Sequence, residues 1–136
     1  MFSSSSRTPT VLAVDDCAIT QRVIHQVLGD RYRVLVASNA KEALNLIYKH
    51  QIDVLLLDIS MPDIDGFALC RTVRQIPQFE RLPIVMLTAR KGVFDRVQSQ
   101  MAGATEYLTK PFSAESLDLS IQAVLNSTST TTEDVR

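Results

Sequence analysis

The chain has 136 residues, enough for one domain with a sizeable core, and its 46% apolar and 21% charged residues are ordinary for a soluble globular protein. A net charge of −1 leaves no basic surplus for general attraction to nucleic acid or to an anionic membrane. No apolar run approaches membrane-spanning length and the N-terminus lacks a secretory hydrophobic segment, so a soluble cytoplasmic protein is expected.

Residues 1–9 include Ser3 to Ser6 and are expected to form a disordered arm. Thr10 to Val14 reads as an apolar strand ending in Asp15-Asp16. Ala18 to Leu28 reads as a helix, because Ile19, Val23, Ile24, Val27 and Leu28 recur at helical spacing and Gly29 closes it. Tyr32 to Ala37 is a Val-rich second strand. Ala40 to Lys49 is a helix with Ala40, Ala43, Leu44 and Ile47 on one face, and Ser38 or Asn39 can cap it. Val54 to Leu57 runs straight into Asp58. An apolar run that short, followed by Pro62 and Gly66, reads as a strand covered on both faces. Phe67 to Gln75 is a third helix ending near Pro77, and Ile84 to Leu87 is a fourth strand that delivers Thr88. Val93, Val97 and Met101 mark a fourth helix, and Thr105 to Leu108 is a short strand before Thr109-Lys110-Pro111. Ser113 caps a last helix with Leu117, Ile121, Val124 and Leu125 facing inward. The folded domain is thus expected over residues 10–126, and residues 127–136 form a polar tail or the start of a linker.

Strict alternation of strand and helix means an α/β fold with a parallel sheet. For five such units the expected architecture is a flavodoxin-like three-layer fold, a five-stranded parallel sheet in order 2-1-3-4-5 with five helices. Ligands of such sheets bind outside the carboxyl ends of the strands, at the switch point between strands 1 and 3. Asp15, Asp16 and Asp58 then lie side by side there, with Thr88 next along the edge and Lys110 reaching back. An acidic residue at one strand end means little, since Asp is a common helix cap. Three carboxylates, a hydroxyl and an ammonium at four strand ends form a far more specific pattern.

Carboxylates packed so closely repel at neutral pH, so protons or a divalent cation must offset them. A small set of oxygen donors suits Mg²⁺, which keeps several waters and needs only one or two carboxylates. The Asp58 carboxylate can attack phosphorus to form an aspartyl phosphate, and the Thr88 hydroxyl can donate to a phosphoryl oxygen. Cys17 and Cys70 are far apart, form no C-x-x-C pair and read as small core residues. His25 and His50 lie on separate helices without metal-ligand spacing.

These residues carry a resemblance. Asp15-Asp16 after strand 1, Asp58 after strand 3, Met61-Pro62-x-x-Asp65-Gly66, Thr88-Ala89 after strand 4 and Lys110-Pro111-Phe112 after strand 5 together resemble the CheY-like receiver domain of two-component response regulators. The match spans about Thr10 to Leu125. It implies that Asp58 is the phosphoacceptor, taking its phosphoryl group from a histidine kinase or phosphotransfer protein. It implies that Asp16, Asp58 and the backbone carbonyl of Ser60 bind Mg²⁺, with Asp15 acting mainly through water. Thr88 and Lys110 would hold the phosphoryl oxygens, and Tyr107 stands where the family has its switching aromatic residue. Phosphorylation would then change partner affinity across helix 4, strand 5 and helix 5, in a monomer or a weak phosphorylation-dependent dimer. The Lys110-Pro111 bond is expected to be cis on the same ground. The segments Thr88 to Arg96 and Ala102 to Phe112 look like receivers of type IV pilus and phototaxis systems. Ser60 and Arg90 flank the phosphoryl site, and Arg90 beside an anion is expected to alter aspartyl-phosphate lifetime.

Other classes fit less well. Aspartate-nucleophile phosphatases usually carry a second acid two residues after the first, and here that position is Ser60. A flavin carrier on this fold needs a Ser/Thr/Gly-rich phosphate loop after strand 1, where this chain has two aspartates that repel phosphate. A receiver-like module used only for interaction would not need the complete acidic set. No segment reads as a DNA-binding helix-turn-helix, so the signal is expected to leave through a protein partner, whose identity the chain does not encode.

Overall fold

Each central strand alternates its side chains between two apolar layers, and this alternation builds the domain. The computed structural model describes residues 7–89 and 93–134. In chain order the elements are β1 (Thr10–Val14), α1 (Ala18–Leu28), β2 (Arg33–Ala37), α2 (Ala40–Lys49), β3 (Val54–Asp58), α3 (Gly66–Gln75), β4 (Ile84–Thr88), α4 (Val93–Ala102), β5 (Glu106–Thr109) and α5 (Ala114–Asp134), with a short 3-10 turn at Pro77–Phe79. The five strands form one parallel sheet in order β2-β1-β3-β4-β5. This is the flavodoxin-like arrangement expected from the alternation.

Every residue of β1, β3 and β4 is buried. Leu12, Val14, Leu55, Leu57, Ile84 and Met86 point into one core with Ala43 and Ile47 of α2 and Leu69, Cys70 and Val73 of α3. Val11, Ala13, Val54, Leu56, Val85 and Leu87 point the other way, against Ile24 and Leu28 of α1 and Leu117, Ile121 and Val124 of α5. A period of two within continuously apolar strands gives both faces a core. Each fully buried Leu or Ile contributes about 1.5–3 kcal/mol relative to an exposed one.

Cys17 departs from expectation, and the facing of α4 and the length of α5 go beyond it. On α4 the apolar positions Val97 and Met101 face solvent, 43% and 80% exposed, while Ser99 and Ala102 turn inward. The sequence has apolar residues at helical spacing, but a stripe does not say which way it points. Cys17 is exposed at the N-cap of α1 rather than a core residue, whereas Cys70 is fully buried as expected. The backbone of α5 stays helical to Asp134, past the expected start of a tail at 127. Once a helix is nucleated and packed, adding Ser and Thr residues costs far less than starting one. No helix among the described residues is long and apolar enough to cross a membrane.

Candidate functional site

Because the strands are parallel, β1, β3 and β4 all leave the core at one edge of the sheet. Asp15 follows β1, Asp58 ends β3 and Thr88 ends β4. In register, Asp58 pairs with Leu87 and Thr88 with Thr109, which brings β5 to the same edge one residue before Lys110. The Lys110 N–H donates to the Thr88 carbonyl at 2.6 Å, and the peptide bond between Lys110 and Pro111 is cis.

Three acids meet there. One carboxylate oxygen from each of Asp15, Asp16 and Asp58 lies within 4.8 Å of the others. Asp15 is fully buried, Asp58 nearly so and Asp16 exposed, so the cluster opens outward through Asp16. Asp16, Ser60, Met61, Pro62, Asp65 and Gln98 line an open cleft of about 570 Å³. The Lys110 ammonium donates to Asp15 Oδ2 at 2.7 Å and lies 3.6 Å from Asp58 Oδ2. Backbone donors hold the other carboxylate oxygens: Cys17 N–H to Asp15 Oδ1 at 2.8 Å and Ser60 N–H to Asp58 Oδ1 at 3.2 Å.

The electrostatics follow from burial. Removal from water pushes the Asp58 carboxyl above its ordinary value; the Asp15 charge adds to this, and Lys110 and the Ser60 N–H offset it only in part. Burial alone would pull the Lys110 ammonium down. The Asp15 hydrogen bond and charge, with the Asp58 charge, outweigh burial and hold it above the usual lysine value. The Asp58 carboxylate is therefore uncomfortable without a further cation, while Lys110 stays charged. Three hard oxygen donors at this spacing, one open to solvent, form a set able to coordinate a divalent cation.

The loop that follows β3 is tightly folded. The Gly66 N–H donates to the Ile59 carbonyl at 2.6 Å, and any Cβ at Gly66 would collide with the Asp58 carbonyl oxygen and the Ile59 backbone. Glycine is needed here for close approach, so the Asp65-Gly66 pair sets the chain direction just after Asp58. Asp65 then caps α3, accepting from the Ala68 N–H at 2.8 Å.

The structure thus gathers Asp15, Asp16, Asp58, Thr88, Lys110 and Ser60 at one edge. Tyr107 lies on β5 beside α4, half-buried, with the Arg96 guanidinium carbon 5.7 Å from its ring centroid. Arg90 falls outside the described residues. Sequence reasoning missed two side chains that brace the site. Gln21 donates from Nε2 to the Asp15 carbonyl and, at 3.1 Å, to Ser38 Oγ, linking the loops after β1 and β2. Asp63 reaches across to the start of α2. The Gln21–Ser38 and Asp63–Ala40 contacts join segments 17 and 23 residues apart, and only the placement of these segments along the sheet edge predicts them.

Comparison with known proteins agrees with this geometry. Residues 11–122 match the response regulator receiver domain family. The probable transcriptional regulator ycf27 of Guillardia theta is 41% identical over 119 residues, covering 87% of this chain and 46% of that protein. The response regulator MprA of Mycobacterium leprae is 40% identical over 119 residues, covering 87% and 51%. The chain therefore spans about half the length of these curated relatives. A putative response regulator from Chloroflexus aurantiacus superposes with a TM-score of 0.85 at 39% identity, covering 88% of this chain and 99% of that one. The chemotaxis response regulator CheY4 of Vibrio cholerae does so with 0.84 at 35%, covering 88% and 100%. The sheet order, the acidic edge and these likenesses agree, and the chain belongs to the CheY-like response-regulator receiver-domain family.

Proposed function

We propose that this domain carries a two-component signal as a phosphoryl group on Asp58, with Mg²⁺ as its cation. The observation that carries the reading is the convergence of three carboxylate oxygens within 4.8 Å, with Lys110 close to two of the three acids. Asp58 and Asp16, with the Ser60 carbonyl, would hold the ion, and Asp15 would act mainly through its water shell. The ion supplies charge neutralisation at the phosphoryl oxygens. Everything else comes from the chain. A carboxylate oxygen of Asp58 attacks phosphorus in line, the N–P bond of a phosphohistidine breaks, and the imidazole nitrogen leaves with the bonding pair and takes up a proton. Fixed placement of Asp58 at the end of a buried strand reduces the reorganisation this step needs. Lys110 shifts its ammonium from the acid pair toward the new phosphoryl oxygens, and the Thr88 hydroxyl donates to one of them. The domain is a phosphoacceptor rather than an enzyme acting on a separate substrate.

The phosphodonor partner is a histidine kinase or phosphotransfer protein, and the domain works in the cytoplasm, where ATP-dependent kinases act. The output is a change in the α4–β5–α5 face, through Thr88 and Tyr107, that alters affinity for a protein partner or a second copy. A phosphoryl group can shift this equilibrium only through contacts that differ between the two states, and Thr88 and Lys110 would make them. The test is incubation with phosphoramidate and Mg²⁺. The wild type should gain one base-labile phosphoryl group and Asp58→Asn none; persistent labelling of the variant overturns the assignment.

A further inference from the structure

Asp63 sits at the crest of the β3–α3 loop, exposed to solvent, yet both its carboxylate oxygens are engaged. Oδ1 and Oδ2 accept from the Ala40 N–H at 3.0 and 3.1 Å, and Oδ2 also accepts from the Lys41 N–H at 3.3 Å. These are the first two amides of α2, which have no partner within their own helix. The third, Glu42 N–H, goes to the local cap Asn39 at 2.9 Å, and the Ala43 N–H begins the helical ladder on the Asn39 carbonyl. Two side chains 24 positions apart in sequence thus complete one helix start, and one of them belongs to the loop that carries Ser60. The Ala40 amide above all holds the Asp63 carboxyl below the usual carboxylate range; burial opposes it, and the Lys41, Asp63 and Ile64 amides add to the lowering.

The local cap alone would let α2 form, with water meeting the remaining amides. The bridge from Asp63 therefore serves the loop more than the helix. Its loop is fastened at its end by the Gly66 N–H to Ile59 carbonyl bond and the Asp65 cap of α3. Asp63 supplies the fastening in between, on a helix whose Ala40, Ala43 and Ile47 are locked into the core. Met61 and Ile64 also pack, partly buried, against this core, and the Ser60 N–H is held by Asp58, so Asp63 adds the polar tie that joins this loop to α2. We propose that Asp63 is a positioning residue for the cation site, fixing the β3–α3 loop, and with it Ser60, by capping α2 from a distance. This rests on the cation reading given above. Asp63 itself donates nothing to the ion and touches no phosphoryl oxygen.

The test compares Asp63→Ala with Asp63→Asn, since Asn loses the charge but keeps an oxygen able to cap. The position is exposed, so neither change opens a cavity. Mg²⁺ affinity of the unphosphorylated protein is read by NMR titration, and phosphoramidate labelling rates are taken across a range of Mg²⁺ concentrations. Asp63→Ala should weaken Mg²⁺ binding roughly three- to tenfold, while labelling at saturating Mg²⁺ returns to within about twofold of wild type. Amide exchange at Ala40 and Lys41 should speed up in the same variant. Asp63→Asn should stay within about twofold of wild type in Mg²⁺ affinity. Unchanged affinity in Asp63→Ala overturns the proposal, as does equal weakening in both variants, which would mean that only the charge matters. A wild-type domain that binds no Mg²⁺ would remove the cation reading itself, a different result from a wild type that binds and an Ala variant that binds as well.

Discussion

The two halves of the sheet are built differently. Around β1 and β3 every strand residue is buried, and α1, α2, α3 and α5 press large apolar side chains onto both faces. Around β5 no strand residue is fully buried, and α4 offers Ser99 and Ala102 to the interior while Val97 and Met101 look outward. At the C-terminal end of α4 Ala102 joins the core beside α3, and polar contacts from α3 add to it. Cys70 Sγ meets the Ala102 carbonyl at 3.3 Å, and the Arg74 guanidinium donates to the Gly103 carbonyl at 2.8 Å, the Phe79 carbonyl at 3.2 Å and Thr105 Oγ1 at 3.2 Å. Gly103, at φ 99°, lies so close beneath the Arg74 stem that a Cβ would collide with it. The contrast suits the proposed roles. A phosphoacceptor must be fixed before it reacts, whereas a responding surface must move at small cost, and elements with few buried apolar contacts open most easily.

The contrast can be broken or sharpened by substitution. Leu56→Ala, in the middle of β3, should destabilise the domain by about 2–5 kcal/mol, measured by urea unfolding. Arg74→Ala should cost less, about 1–3 kcal/mol, and should speed amide exchange at Thr105 more than at Leu56. If exchange rises equally at both, the two halves are one cooperative unit and the contrast fails. Asp58→Asn should raise the thermal midpoint in Mg²⁺-free buffer at neutral pH by about a few degrees. The sign follows from the raised carboxyl: the folded state binds this proton more tightly than the unfolded chain. Its charge therefore opposes folding above the folded pKa, and the gain from Asn should fade as pH falls toward the ordinary value of 3.8. Met101→Ala should fall within about 0.5 kcal/mol of wild type, because the side chain buries little.

Much of this was legible in the chain. Val11 to Val14 and Val54 to Leu57 are uninterrupted apolar runs, and alternation with helices left little freedom in sheet order. Once that order is granted, Asp15, Asp16, Asp58, Thr88 and Lys110 must share an edge. Contacts between distant loops were less legible. Asp63 reads as one more loop acid, and Gln21 as a polar residue on a helix, until α2 and β2 take their places beside them. The facing of α4 was hidden as well, since a stripe of Val97 and Met101 looks the same whether it meets a core or a partner. The exposed Cys17 shows the same limit: a small thiol suits a core, but the turn after Asp15-Asp16 puts it at a helix start.

The alternation in β3 has a further consequence. With apolar residues on both faces, sliding the strand by one position would exchange Leu55 and Leu57 for Val54 and Leu56 with little change in greasiness on either side. Hydrophobicity alone is therefore a poor ruler for this strand. The penalty for slipping falls at its tip, where Asp58 would be dragged inward past Leu87 and Gly66 would lose its seat against the Asp58 carbonyl. The residue proposed to carry the message thus also sets the phase of the strand that holds it.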